Sequence, residues 1–165
     1  MRSTTTTTPT AYRLQSLAEP LGRSGPLLLR LIIGYGFFMH GYAKFSRGPE
    51  TFAAVLHTLG VPAPLLFAWL TTFVELFGGA AILLGAFVPL VSVPMAAVLL
   101  TALFKVHLPY GFFSVKLVEV STTGTKFGTV GFEIILLYLA GLGALALAEP
   151  SLWSVDRWRA NRRAR

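Results

Sequence analysis

The stretch Arg30-Leu31-Ile32-Ile33-Gly34-Tyr35-Gly36-Phe37-Phe38-Met39-His40-Gly41-Tyr42-Ala43-Lys44-Phe45 decides the fold. It is apolar enough to lie in a bilayer, yet it carries Arg30, His40 and Lys44, and ionisable groups at membrane depth are rare and costly. On a helix, Arg30, Gly34, Phe37, Gly41 and Lys44 recur at alternating spacings of four and three, with His40 beside Phe37 and Lys44. One face therefore presents charge and glycine together. It is expected to look inward, toward partners on other helices.

Working outward, the chain of 165 residues suits a single domain, but 54% apolar and 13% charged residues depart from an ordinary soluble one. Apolar blocks at about 27–45, 64–87, 89–106 and 129–148 each come near the roughly 20 residues that cross a ~30 Å hydrocarbon core. The predicted fold is an all-α membrane protein, a four-transmembrane-helix bundle. Pro26 suits the first turn of helix one, and Glu149-Pro150 stops helix four. Ala86-Phe87-Val88-Pro89 is short enough to make helices two and three a tight antiparallel pair.

Between helices one and two, Gly48-Pro49-Glu50 opens a short interfacial helix with Phe52, Val55, Leu56 and Leu59 on one side, and Gly60-Val61-Pro62-Ala63-Pro64 ends it. Between helices three and four, Pro109-Tyr110-Gly111-Phe112-Phe113 reads as an aromatic interfacial turn and Ser121-Thr122-Thr123-Gly124-Thr125 as a polar loop. The resulting division is a disordered basic cytoplasmic tail over 1–25, the four-helix domain over 26–149, and a basic cytoplasmic C-terminal tail over 150–165.

The formal charge of +7 sits in the tails. Arg2, Arg13, Arg23, Arg157, Arg159, Arg162, Arg163 and Arg165, set against Glu19 and Asp156, carry +6 of it. That placement points to the cytoplasmic side and anionic headgroups rather than to nucleic acid. Eight basic residues at the termini against Arg47, Lys116, Lys126, Lys44 and Lys105 on the other side favour both termini in the cytoplasm. Cysteine is absent, which removes disulfides, thiolate metal sites and any dithiol relay carried by this chain. Residues 1–26 lack the apolar core of a secretory signal and read as a retained tail.

Alternating helix directions bring the end of helix one, the start of two, the end of three and the start of four to the outer side. His40, Lys44, Lys105, His107 and Glu133 are expected to converge there, with Glu75 deeper. Glu75, Gly78, Gly79, Ile82, Gly85 and Ala86 share a helix face, so the Glu75 carboxyl should meet a closely packed neighbour and needs a donor. Gly34, Gly41, Gly78, Gly79, Gly85 and Gly141 are the helix-packing glycines. One reading of the six ionisable residues is structural: ion pairs and snorkelling lysines that hold helix register. The other is a polar pocket in which His40, Glu75 and Glu133 bind, or exchange protons with, a small amphipathic molecule such as a quinone. Ion or solute passage is the third.

No metal site is expected. His40 and His107 satisfy the ligand count for haem, but no attachment motif accompanies them and the nearby lysines disfavour a ferric centre. Arg30, about 15 Å from His40 by helical rise, belongs at the cytoplasmic edge with a headgroup or loop-carbonyl contact.

At these residues the chain resembles the DoxX family of small bacterial four-helix membrane proteins. The resemblance consists of Arg30-Leu31 with Gly34, Phe38, His40-Gly41 and Lys44-Phe45; Gly60-Val61-Pro62-Ala63-Pro64; Glu75 with Gly78-Gly79 and Leu84-Gly85; His107 with Gly111-Phe112-Phe113; and Gly131 with Glu133. It covers about residues 25–148 and leaves out the tails. What it implies is a multi-pass protein of the bacterial inner membrane associated with redox metabolism, since the family takes its name from a membrane thiosulfate:quinone oxidoreductase and some relatives are linked to membrane-tethered oxidative-stress complexes. A chain without cysteine or flavin motif needs a redox enzyme partner to move electrons. The expectation is a subunit of a quinone-linked complex with no intrinsic cofactor, a quinone as ligand, and glycine-rich faces through which it could form a homo-oligomer. A scaffold without a ligand and a small-solute or proton pathway are the competing functions.

Overall fold

The computed structural model describes residues 9–151 and 153–163, with side chains from residue 25. Helix α1 (Pro9–Arg47) is 39 residues long. It begins inside the segment expected to be a disordered tail, of which residues 1–8 lie outside the described residues. Helix α2 (Pro49–Thr58) follows Gly48 at once, in the place expected of the short connecting helix. Helix α3 (Pro64–Leu84) starts with proline in its first turn, where a missing N–H costs nothing.

The end of α3 is built by Gly85, whose φ of 63° is left-handed. There the Gly85 N–H donates to Ile82 O at 3.0 Å and the Ala86 N–H to Ala81 O at 2.9 Å, the paired bonds that close a helix on a glycine. Helix α4 (Val88–Ala102) starts two residues later and passes without a break into a π turn, Leu103–His107, and a 3-10 turn, Leu108–Tyr110.

The polar loop expected around Ser121–Thr125 is instead a hairpin, strands β1 (Leu117–Ser121) and β2 (Gly124–Phe127). Its strands are too short for period-two alternation to stand out against the helical signal. Helix α5 (Glu133–Leu147) is 15 residues long, shorter than the apolar block that suggests it. The Gly131 N–H donates to Phe113 O at 3.0 Å and the Phe132 N–H to Gly111 O at 3.0 Å, so the chain before Glu133 is held against the loop. Helix α6 (Val155–Arg163) lies within the C-terminal tail.

Helix α1 lies along α3, α3 packs on α4, α4 on α5, and α5 returns to α1, while α2 lies across α3. The four long helices thus enclose one core of Ile33, Phe37, Ile82, Val88, Met95, Leu142 and Leu145. A smaller cluster of Ala53, Leu56 and Ala68 seats α2. The inward face of α1 is the one expected from its spacing: Arg30, Gly34, Phe37 and Gly41 are buried and Lys44 is half-buried.

The outward faces are apolar. Ile32, Phe77, Leu90, Val93, Phe104, Leu137 and Leu147 are all exposed, a surface that suits lipid rather than water. Among the described residues two helical stretches, Pro64–Leu84 and Val88–Tyr110, are long and apolar enough to cross a membrane. Helix α5 is apolar but short of that length, and α1 does not meet the same test among the described residues. The molecule is mostly helical, and among the described residues two helices pass this test of length and composition.

Candidate functional site

At the Lys44 end of the bundle the helices enclose a cavity of about 580 Å³, within the ~300–1,000 Å³ common for small-molecule sites. All five of the first helices contribute to its wall, including Phe37 from α1, Phe52 from α2, Glu75 from α3, Leu99 from α4 and Tyr138 from α5.

Glycine makes the arrangement possible. A side chain at Gly34 would place its Cβ 2.9 Å from Gly79 O, one at Gly79 would meet Phe38 N at 2.5 Å, and one at Gly41 would meet Leu76 N at 2.6 Å. Backbone therefore touches backbone along the α1–α3 seam, as in small-residue helix packing. Gly78 faces Met95 of α4 and Gly141 faces Ile33. This close approach brings the end of α1 beside the middle of α3. The Lys44 Nζ lies 2.5 Å from both Glu75 oxygens, with side-chain exposures of 19% and 7%.

Lys44 is thus the donor that Glu75 requires, and it turns inward instead of snorkelling. Its ammonium also sits 4.5 Å from the centroid of the Phe52 ring, which places α2 as a cover over the pair. The result is a compact ion pair set into a largely apolar wall.

His40, one turn before Lys44, lines the same cavity and is more exposed, as is Lys105. His107 reaches the wall from the π turn that ends α4. Its Nδ1 lies 2.9 Å from Val130 O. An imidazole donating its Nδ1–H to a carbonyl holds Nε2 as a free acceptor while it is neutral.

Five of the six candidates, His40, Lys44, Glu75, Lys105 and His107, therefore border one cavity. Glu133 does not. Its carboxylate accepts the Ser114 N–H at 3.1 Å, and Ser114 Oγ accepts the Ile134 N–H at 3.1 Å. Ser114 Oγ thus caps the start of α5 from across the loop, and the Glu133 carboxylate holds the Ser114 backbone in place. Glu133 lies in the first turn of its helix, where a carboxylate favours the exposed N–H groups; Ile134 and Ile135 of that turn line the cavity, whereas the Glu133 side chain does not. Among the described residues no group of three metal-ligating side chains gathers anywhere.

Tyr138 was not singled out from the sequence. It lines the cavity and meets Phe37 edge to face at 5.9 Å between ring centroids. The available signal was its place one turn beyond Ile134 and Ile135, two other wall residues, on the same helix.

A second polar node lies at the opposite end. Arg30 is 3% exposed and donates to Ile82 O at 2.9 Å, Leu83 O at 2.6 Å, Ser151 Oγ at 2.6 Å and Trp153 O at 2.9 Å. A cation here also meets the negative end of the α3 dipole. The carbonyl contact expected for Arg30 is present, but its acceptors are the last turn of α3 and the C-terminal segment. That segment is docked, not free: the Asp156 carboxylate accepts Phe87 N–H at 2.9 Å and Val88 N–H at 3.1 Å, capping α4. The capping role of Asp156 had no local sequence signature, because the helix it caps lies about 70 positions away.

Comparison with known proteins adds three findings. The DoxX family model matches residues 25–108. The uncharacterised membrane protein Rv3486 of Mycobacterium tuberculosis is 30% identical over 148 residues, covering 87% of this chain and 85% of that protein. CatD of Bacillus subtilis, named only as a candidate oxidoreductase, is 36% identical over 84 residues, covering 51% of this chain and 60% of that protein. No solved structure matches the chain.

Proposed function

This chain belongs to the DoxX family of membrane proteins, and on that footing we propose that it is a membrane subunit of a redox complex whose cavity holds a quinone-like lipid. In this reading α1, α3, α4 and α5 all cross the bacterial inner membrane, both termini face the cytoplasm, and the Lys44 end of the bundle lies in the outer half. The subunit supplies the binding site, and a partner enzyme supplies the electrons.

One observation carries the proposal: a buried ion pair, Lys44–Glu75, set with His40, Lys105 and His107 in the largely apolar wall of a cavity of about 580 Å³. A purely greasy molecule has no use for such a pair, and a hydrophilic one has no use for the rest of the wall. A ring with carbonyl or hydroxyl groups and an apolar tail uses both. His107 Nε2 offers an acceptor to a hydroxyl, and the Lys44 ammonium, which has a third proton beyond those facing Glu75, offers a donor to a carbonyl. CatD's name, a candidate oxidoreductase, supports the redox setting.

A scaffold reading has an observation of its own. Lys44 and Glu75 satisfy one another, and no buried side-chain polar atom is left without a partner among the described residues. The two are separated by mass spectrometry of small molecules released from protein purified in mild detergent, comparing the parent with Glu75→Gln. A quinone stoichiometric with the parent and lost from a Glu75→Gln protein that still assembles supports the pocket. Bulk lipid alone, unchanged by the substitution, overturns it in favour of the scaffold.

A further inference from the structure

The β1–β2 hairpin takes no part in the cavity, and every residue of both strands is exposed. A lone two-stranded hairpin is marginal in water, so something must cover it. Its register shows where. Leu117 pairs with Phe127, Glu119 with Lys126 and Val120 with Thr125, with an irregularity that absorbs Val118. Because side chains alternate along a strand, Phe127 and Thr125 share a face with their partners Leu117 and Val120, and Lys126 and Glu119 share the other. One face is apolar and the other carries the Lys126–Glu119 ion pair at 2.9 Å.

We infer that the hairpin lies flat in the membrane interface, with the Leu117–Val120–Phe127 face on the lipid and the Glu119–Lys126 face in water. The occupant follows from continuity. β1 is reached from Phe104 and Leu108, exposed on the candidate span Val88–Tyr110, through exposed Phe112 and Phe113; β2 leads back to Ile134 and Leu137, exposed on α5. The apolar hairpin face extends the lipid-facing surface at both of its roots. Phe112 packs edge to face with Phe113 and Phe132 at that junction, at 5.6 and 5.7 Å between centroids, which adds to the apolar surface, and exposed Tyr110 beside them supplies an amphipathic ring of the kind found in interfacial belts. The device braces the loop that carries Ser114 and Val130, the partners of Glu133 and His107.

The absence of cysteine makes the test direct. Val120→Cys, Phe127→Cys, Glu119→Cys and Lys126→Cys are each spin-labelled in the full chain, reconstituted in vesicles of phosphatidylcholine and phosphatidylglycerol, and probed with oxygen and a water-soluble nickel chelate. All four sites are exposed, so none of the labels displaces core. Labels at 120 and 127 are expected to relax faster with oxygen than with nickel, and the order reverses at 119 and 126. Nickel dominating at all four sites overturns the proposal and leaves the hairpin free to dock a protein. Oxygen dominating at all four overturns it too, since no face would then be in water.

Discussion

Replacing Lys44 with Met leaves the Glu75 carboxylate in an apolar wall without its cation. For an ion pair at about 4 Å, an effective dielectric of ~20 gives an attraction of about 4 kcal/mol, most of which offsets the desolvation of the two ions. The pair is therefore worth little in sum, but removing one member costs about 3–5 kcal/mol because the other stays buried and charged. Glu75→Gln is milder, about 1–3 kcal/mol, since the amide oxygen still accepts a hydrogen bond from Lys44. The double variant Lys44→Met, Glu75→Gln carries neither charge and is expected to be more stable than Lys44→Met alone. Reversible unfolding of all four proteins by dodecyl sulfate in mixed micelles measures this, read as a double-mutant cycle. The reasoning is refuted if the two substitutions add, with the double variant less stable than either single one. That result would mean that Lys44 and Glu75 are not coupled and that water reaches each separately.

Three further outcomes are expected. Arg30→Lys cannot serve four acceptors with one ammonium, so the segment from Ser151 should loosen at a cost of about 2–4 kcal/mol and trypsin should cut faster at Arg157 and Arg159; an unchanged cleavage rate counts against the latch. Gly79→Ala would drive its Cβ to 2.5 Å from Phe38 N and should lower thermal stability in detergent by about 1–3 kcal/mol or more, whereas Gly143→Ala, with nothing within 4 Å, should be neutral or slightly stabilising. Asp156→Ala removes the cap of α4 and should cost about 0.5–2 kcal/mol, seen as faster amide exchange at Phe87 and Val88 without change at the Lys44 end.

Features that depend on local spacing and composition are legible in the chain alone. The inward face of α1 is legible because alternation by four and three is a property of one helix, and the glycines on it and on α3 announce a close approach before any partner is known. The start of α2 after Gly48 is likewise local, set by Pro at a first turn; Gly85, expected on the packed helix face, instead closes α3 as a left-handed cap, because glycine suits either role. Membership of the DoxX family was legible in the same residues, and composition marked the chain for the membrane.

Tertiary structure decided which groups meet. Lys44 has the same sequence whether it snorkels or pairs; only the depth to which α1 slides along α3 puts its ammonium on Glu75. Glu133 looked like a pocket residue because it opens a helix at the right end, yet the loop at Ser114 takes its carboxylate. Arg30 and Asp156 act across about 120 and 70 positions respectively, distances at which neighbouring residues carry no information about the partner. Helical period is written into a few consecutive residues by the 3.6-residue turn, whereas the partner of a buried charge is set by the packing of whole helices, and that exists only once the chain has folded.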